Sequence, residues 1–276
     1  MAALRALAGR RIGFVGGGAM AEALLGGLVA AGVPASRLAA SDPDPRRRKL
    51  LTEVCGIATH AENEEVVAGS DLVVLAVKPS VVEAALRGLP ARDLGRPLWV
   101  SIAAGIPMAK LGALLPAGAR IVRAMPNTPA LVRAGATAIA PGSTTTTADR
   151  EAATALFETV GVCWEAQSES QLDAVTGLSG SGPAYVFVFL EALADAGVRV
   201  GLPREAAYRL AFQTVLGAAK LAQETGRHPA ALKDQVTSPG GTTIAGLERL
   251  EAGGFRAAVY DAVAAATRRS KELGSG

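Results

Sequence analysis

Cysteine is nearly missing from this 276-residue chain: Cys55 and Cys163 are the only two, too few for a disulfide framework and without the spacing of a metal knuckle. Histidine is as scarce, with His60 and His228 alone, so a histidine-rich metal site is excluded. Aromatic residues make up 4% and the formal net charge is only +3. The basic residues are scattered apart from Arg46-Arg47-Arg48-Lys49, which leaves neither the charge nor the stacking surface for nucleic acid. No uninterrupted apolar run approaches the roughly 20 residues of a membrane span, so no membrane partner is expected. Met1 to Arg11 holds three arginines and no acid. Strand-like residues begin at Ile12, however, leaving no room for a removable targeting segment. Cytoplasmic residence is the expectation.

What is present is apolar bulk. Half of the chain is hydrophobic and 19% charged, enough for a sizeable core and for two domains. The first half alternates. Arg11 to Val15, Leu38 to Ser41, Asp71 to Val77 and Leu98 to Ile102 read as strands, the longer ones as near-continuous apolar runs covered on both faces. Helical spacing over Ala19–Ala31, Pro45–Val54 and Ser80–Leu89 separates them. Arg120 to Arg123, Thr137 to Ala140 and Val162 to Glu165 add strands, and Ser143 to Thr147 reads as a surface turn. This rhythm predicts an α/β fold, with an N-terminal doubly wound Rossmann-type domain over residues 1–166. Residues 167–276 lose it: Tyr185–Val198, Pro203–Glu224 and Phe255–Glu272 read as helices. Their apolar residues lie on too many sides for a lone bundle, which predicts an all-α domain that forms an oligomer interface.

The first motif lies between the first strand and the first helix. Gly16, Gly18 and Ala21 have the G-x-G-x-x-G/A spacing. Gly16 permits the tight turn, Gly18 lets a pyrophosphate touch the backbone, and Ala21 lets helix and strand pack closely. The free N–H groups of the helix start then hold the anion. At the end of the second strand Asp42 stands where a carboxylate would bind ribose hydroxyls and favour NAD. Arg46, Arg47 and Arg48 follow, and a guanidinium there could take a 2′-phosphate; the solvated first turn of a helix accounts for them equally well. The expected cofactor is NADPH, with NADH possible. Ala76-Val77-Lys78-Pro79 and Ser101 to Gly105 follow two more strand ends, where such a sheet places its ligands. Lys78 could be an acid or a phosphate contact, although a surface position is the commoner fate of a lysine there.

Two stretches of the second half are unusual. Thr176-Gly-Leu-Ser-Gly-Ser-Gly-Pro-Ala-Tyr185 gathers glycine and serine before an apolar helix. Val236-Thr-Ser-Pro-Gly-Gly-Thr-Thr-Ile244 does the same before a helix near Thr242. The second has the form of an anion nest suited to a small carboxylate, and an ordinary serine-capped helix start accounts for it about as well. Extended to Asp173–Tyr185 and Leu232–Ile244, the two resemble the hallmark stretches of the pyrroline-5-carboxylate reductases. The glycine turn, Ala76 to Pro79, Ala103 to Gly105, Met125-Pro-Asn-Thr-Pro129 and Gly253 to Arg256 fall in that family's order, so the resemblance runs from Ile12 to about Leu273.

The resemblance implies reduction of L-1-pyrroline-5-carboxylate to L-proline with NAD(P)H, the last step of proline biosynthesis. It also implies a helical domain that interlocks with its twin, in homodimers that assemble into decamers. Carried over by position, Val15, Gly16, Gly17, Gly18, Ala19 and Met20 contact the pyrophosphate. Ser41 and Asn63 serve the adenosine side. Ala76, Val77, Lys78 and Pro79, with Ile102, Ala103 and Ala104, serve the nicotinamide half. Ser238, Gly240, Gly241, Thr242 and Thr243 would hold the substrate, with Thr243 at the ring nitrogen, and Glu169 stands close to it. Gln235 occupies a cofactor position where relatives commonly show asparagine, and Asp42 replaces a small polar residue. A β-hydroxyacid dehydrogenase, which would need Lys220 or Lys233 as its acid, and a redox sensor without turnover are the rival readings.

Overall fold

The computed structural model describes residues 5–275. The chain divides into two compact units, one running to Ser181 and resuming at Ala265, the other spanning Gly182–Ala264.

The first unit is built on one sheet. Strands β1 (Ile12–Val15), β2 (Leu38–Ser41), β3 (Ala58–His60), β4 (Leu72–Leu75), β5 (Leu98–Ser101), β6 (Arg120–Met125), β7 (Gly135–Pro141) and β8 (Gly161–Glu165) lie in the order β3-β2-β1-β4-β5-β6-β7-β8. Every neighbouring pair is parallel except β6–β7. Right-handed crossovers are the rule for such pairs, and here they are made by α1 (Ala19–Ala30), α2 (Pro45–Cys55), α3 (Asn63–Ala68), α4 (Val82–Arg87) with α5 (Ala91–Leu94), and α6 (Met108–Leu114). Helix α7 (Thr147–Glu158) joins β7 to β8, and α8 (Gln171–Val175) follows the last strand.

Side-chain alternation explains why both faces are covered. Ile12, Phe14, Leu72 and Val74 point into one core with Leu24, Leu28 and Phe157. Val15, Val73 and Leu75 point into the other with Leu86, Trp99 and Leu111. A strand buried on two sides reads as a near-continuous apolar run, and β1, β4 and β5 are buried throughout, with Ser101 the one polar residue at the end of β5. The expected strands are all present. Neither β3 nor α3 is anticipated, because Ala58-Thr59-His60 has no apolar run and lies at the sheet edge, partly exposed.

Beyond α8 the helix continues through one π-helical turn, Thr176–Gly180, into α9 (Gly182–Arg199). In the second unit α10 (Arg204–Thr225) follows Pro203, which stands at its N-cap, and α11 (Pro229–Gln235) and α12 (Thr242–Ala252) follow in turn. Helix α13 (Phe255–Ser275) begins there and ends in the first unit. Helices α9 and α10 bury only Ala194, Ala207 and Ala211, while Phe187, Val188, Leu210, Phe212 and Leu216 are exposed. The continuous helical run Gln171–Arg199 is long and apolar enough to cross a membrane by length and composition. That corrects the expectation that no segment reaches such a length: glycine, serine and threonine interrupt the apolar run without interrupting the helix.

One buried charge ties α7 to the sheet. Asp149 caps its own helix by accepting from Thr146 N (3.0 Å) and Oγ1 (2.8 Å), and it pairs with Arg120 of β6 at 2.8 Å. Burial pushes its carboxyl upward, but the Thr146 donors and the Arg120 guanidinium together hold it below its usual 3.8. A depressed carboxylate stabilises the fold above its unfolded value and ceases to as pH falls through the folded one. Asp149→Ala should therefore cost about 3 kcal/mol at neutral pH. In denaturant titrations the gap to the wild type should close as pH drops below 3.8.

Candidate active site

The crevice of an open parallel sheet lies at the carboxyl ends of the strands where their order reverses, which here is between β1 and β4. Gly16 leaves β1 with φ +98°, and a Cβ on it would come within 2.8 Å of the carbonyl oxygen of Ala76. Only glycine fits both the conformation and the space. Its N–H donates to Ser41 O at 2.9 Å, closing β1 onto β2. Gly18 is the N-cap of α1, exposed and with no side-chain cap. The first-turn N–H groups are thus left without a side-chain partner, and Ala21 is buried completely against the sheet. An uncapped helix start with a glycine in front of it is an anion site.

A cleft of about 600 Å³ opens beside this turn. Gly16, Gly18, Ser41 and Asn63 border it, as do Ala76, Val77 and Lys78. The remaining expected cofactor residues do not. Val15 is buried in the sheet, Gly17 is buried and Ala19 and Met20 lie within α1. Pro79 opens a single 3-10 turn, Pro79–Val81. Ile102, Ala103 and Ala104 follow β5, with Ile102 N bonded to Leu75 O at 3.2 Å. Ser41 is fully buried, and its hydroxyl lies 2.8 Å from Asn63 Oδ1, whose amide nitrogen donates to Ala85 O at 3.3 Å. Both side chains brace the cleft wall from behind.

The arginine run is not a free clamp. Arg47 donates from Nε to Gly17 O and from Nη2 to Glu22, each at 2.8 Å. Arg48 donates to the carbonyls of Asp42 (2.7 Å) and Pro43 (3.0 Å), and Arg46 forks onto Asp44 at 3.2 and 3.0 Å. That pairing pulls the Asp44 carboxyl below its ordinary value. Asp42, lining the cleft, accepts from Gly17 N and from Asp44 N, both at 2.9 Å.

Glu169 lies along the same carboxyl edge of the sheet, where its carboxylate accepts from Met108 N at 2.7 Å and pairs with Arg123, which stands level with Ser101 of β5 and Leu75 of β4. Arg123 is largely buried, with 13% of its side chain exposed. Neither partner is apparent from sequence spacing. Asn127, just beyond β6, lies in the stretch Met125 to Pro129 that carries the resemblance, but the sequence gives it no role. Its amide donates to Ser179 O at 2.9 Å and accepts from Ala136 N at 2.8 Å, so it pins the π-helical turn to β7. Such turns cost hydrogen-bond geometry and recur at functional sites; this one falls inside the first glycine–serine stretch.

In the second unit the chain leaves α11 at Gln235, which is exposed. Ser238 to Gly241 makes a turn closed by Gly241 N to Ser238 O at 3.0 Å, with Gly240 at φ +66°. Gly241 is the N-cap of α12, again with no side-chain cap. Among the described residues the hydroxyls of Ser238, Thr242 and Thr243 make no hydrogen bond. A depression of about 470 Å³ adjoins this turn, bordered by Gly240, Gly241 and Ile244 with Lys233 and Glu248. Lys233 lies 2.9 Å from Asp234. Glycine-led helix starts without a side-chain cap thus stand in both units, at α1 and at α12, and leave backbone donors of the kind an anion uses.

The first unit, a sheet in dinucleotide order with an open glycine turn at its reversal point, defines a dinucleotide-binding oxidoreductase. The comparisons narrow this. A family model described as pyrroline-5-carboxylate reductase dimerisation matches residues 169–273, and one described as NADP oxidoreductase, coenzyme F420-dependent, matches residues 11–105. Pyrroline-5-carboxylate reductases of Arabidopsis thaliana and Methanosarcina acetivorans are each 47% identical, over 95% and 96% of this chain and 95% and 98% of theirs. The solved reductase from Coxiella burnetii superposes with a TM-score of 0.92 at 38% identity, covering 96% of this chain and 98% of that one. A Plasmodium falciparum pyrroline carboxylate reductase solved with NADP bound gives 0.85 at 33%, with 96% and 98% covered. This chain belongs to the pyrroline-5-carboxylate reductase family, as the two hallmark stretches imply.

Gly16→Ala tests the turn. The substitution forces a side chain into positive φ and against the Ala76 carbonyl, a strain of about 1–3 kcal/mol. The melting temperature should fall, and the dinucleotide Kd measured by titration should rise about tenfold or more. An unchanged Kd would move the cofactor elsewhere.

Proposed function

We propose that this protein reduces L-1-pyrroline-5-carboxylate to L-proline with NADPH, as the last step of proline biosynthesis, using one helix start for the cofactor and the other for the substrate. The observation that carries the assignment is the pair of uncapped, glycine-led N-termini at α1 and α12, set in a chain of this family. The residues present fit a dinucleotide: small side chains at the turn, free N–H groups behind them, and a cleft beside them. Gly16 to Met20 would hold the pyrophosphate, and the Ser41–Asn63 wall would border the adenosine. Ala76 to Pro79 and Ile102 to Ala104 would border the nicotinamide, with Val15 behind and Gln235 as a further contact. When bound, the reduced cofactor supplies a hydride.

The protein's own part is binding and orientation. The N–H groups of the first turn of α12, with Ser238, Gly240, Gly241 and Thr242, hold the substrate carboxylate. Thr243 hydrogen-bonds the ring nitrogen through its unengaged hydroxyl, and Glu169 stands near the ring. A protonated imine is already electrophilic, so no strong acid is required, and holding the ring in place supplies much of the acceleration. The rival β-hydroxyacid chemistry would need a lysine acid, and Lys233 is instead paired with Asp234.

The working unit is a homodimer, assembling further into a decamer and acting in the cytoplasm. Residues 1–166 serve the dinucleotide, and residues 167–276 serve the substrate and the interface. The exposed apolar residues of α9 and α10 support this, because a monomer would leave them in water. In this reading the apolar run Gln171–Arg199 lies in the region matched by the dimerisation model and meets a protein neighbour.

Cofactor oxidation with the cyclic imine, with a 3-hydroxyacid and with neither separates the readings; turnover of the hydroxyacid alone would overturn this one. Thr243→Ala should lower kcat/KM for the imine about tenfold, roughly one hydrogen bond, and Thr243→Ser should restore most of it. Equal values for all three proteins would remove Thr243 from the site.

A further inference from the structure

The adenosine end of the cleft is acidic. Asp42 and Glu62 both border it, and among the described residues Lys78 is the one basic residue that does. The Asp42 carboxylate is fixed, because one oxygen accepts from Gly17 N and the other from Asp44 N, both at 2.9 Å. It stands at the end of β2, where a dinucleotide sheet meets the adenosine ribose. The arginines that follow could have countered it, but each is engaged. Arg47 is bound to the Gly17 carbonyl and Glu22, and Arg48 to the carbonyls of Asp42 and Pro43. Arg46 is held by Asp44 with 90% of its side chain in solvent.

A 2′-phosphate is a dianion that needs a donor fork. An unphosphorylated ribose offers two hydroxyl donors, which a fixed carboxylate accepts well. From this we infer that Asp42 is the cofactor-selecting residue of this reductase. It accepts the ribose hydroxyls of NADH and opposes the 2′-phosphate of NADPH, so the chain takes both cofactors. The inference rests on the proposed dinucleotide site. It does not depend on the imine as substrate.

Binding can be read without turnover. NAD⁺ and NADP⁺ are titrated calorimetrically into the full-length wild type, Asp42→Asn and Asp42→Ser, with melting curves to confirm that each is folded. Asparagine keeps an oxygen for the Gly17 N–H while removing the charge. In both variants the ratio Kd(NAD⁺)/Kd(NADP⁺) should rise about tenfold over the wild type, with the kcat/KM ratio for NADPH over NADH following it. Repeating the titrations at high ionic strength should shrink the wild-type penalty against the phosphorylated form. A change of less than about threefold in the Asp42→Asn binding ratio would overturn the assignment. If both dinucleotides bind as expected and the imine is inert, the proposed reaction fails and this inference stands. If neither dinucleotide binds the folded wild type, the inference falls with the site.

Discussion

At Gly16 the backbone turns out of β1 with a positive φ and passes so close to the Ala76 carbonyl that no side chain fits between them. The same residue is bonded to Ser41 O, so one position joins the ends of β1, β2 and β4. The sheet's reversal point, the start of α1 and the wall of the cleft are all set from there. The open first turn of α1 follows: a chain that turns on glycine arrives at the helix without a capping side chain, and the donors it leaves are the ones an anion needs. The second unit repeats the device at Gly240 and Gly241. The small residues that make the chain hard to read by propensity are the ones that shape both turns.

Polar groups around the first turn are used economically. Asp42 and Arg47 bind the backbone of Gly17 and Arg48 binds that of Asp42, which holds the loop after β2 against the glycine turn. A side chain occupied in this way costs little to keep ordered when a ligand arrives, but it is unavailable as a ligand itself. Three adjacent arginines look like a phosphate clamp only until their partners are known. Glu169 and Arg123 illustrate the same economy on β6, where a buried guanidinium is tolerated because a carboxylate meets it.

The helical unit has a different balance. Its two longest wholly internal helices, α9 and α10, pack through alanines, which leaves their large apolar side chains outward. Such a surface is stable in water only when another protein surface covers it, and a family model named for dimerisation spans this region. The apolar length of Gln171–Arg199 belongs to the same design.

The strands of the first unit were legible because a strand covered on both faces reads as a near-continuous apolar run, as at β1, β4 and β5. The glycine turn was legible from its spacing, and the family from the stretches around Ser179 and Gly240; at Gly16 and Gly240 a positive φ that demands glycine leaves that demand in the residues themselves. Short partly exposed elements such as β3 and α11 left no such mark. The sequence alone determined seven of the eight strands, the three long helices of the second half, the glycine-rich turn and the family. Only the tertiary structure decided which charges are free. Arg47, Arg123 and Asn127 find partners 25 to 52 positions away in the chain, and a hydrogen bond between distant residues has no periodicity to betray it.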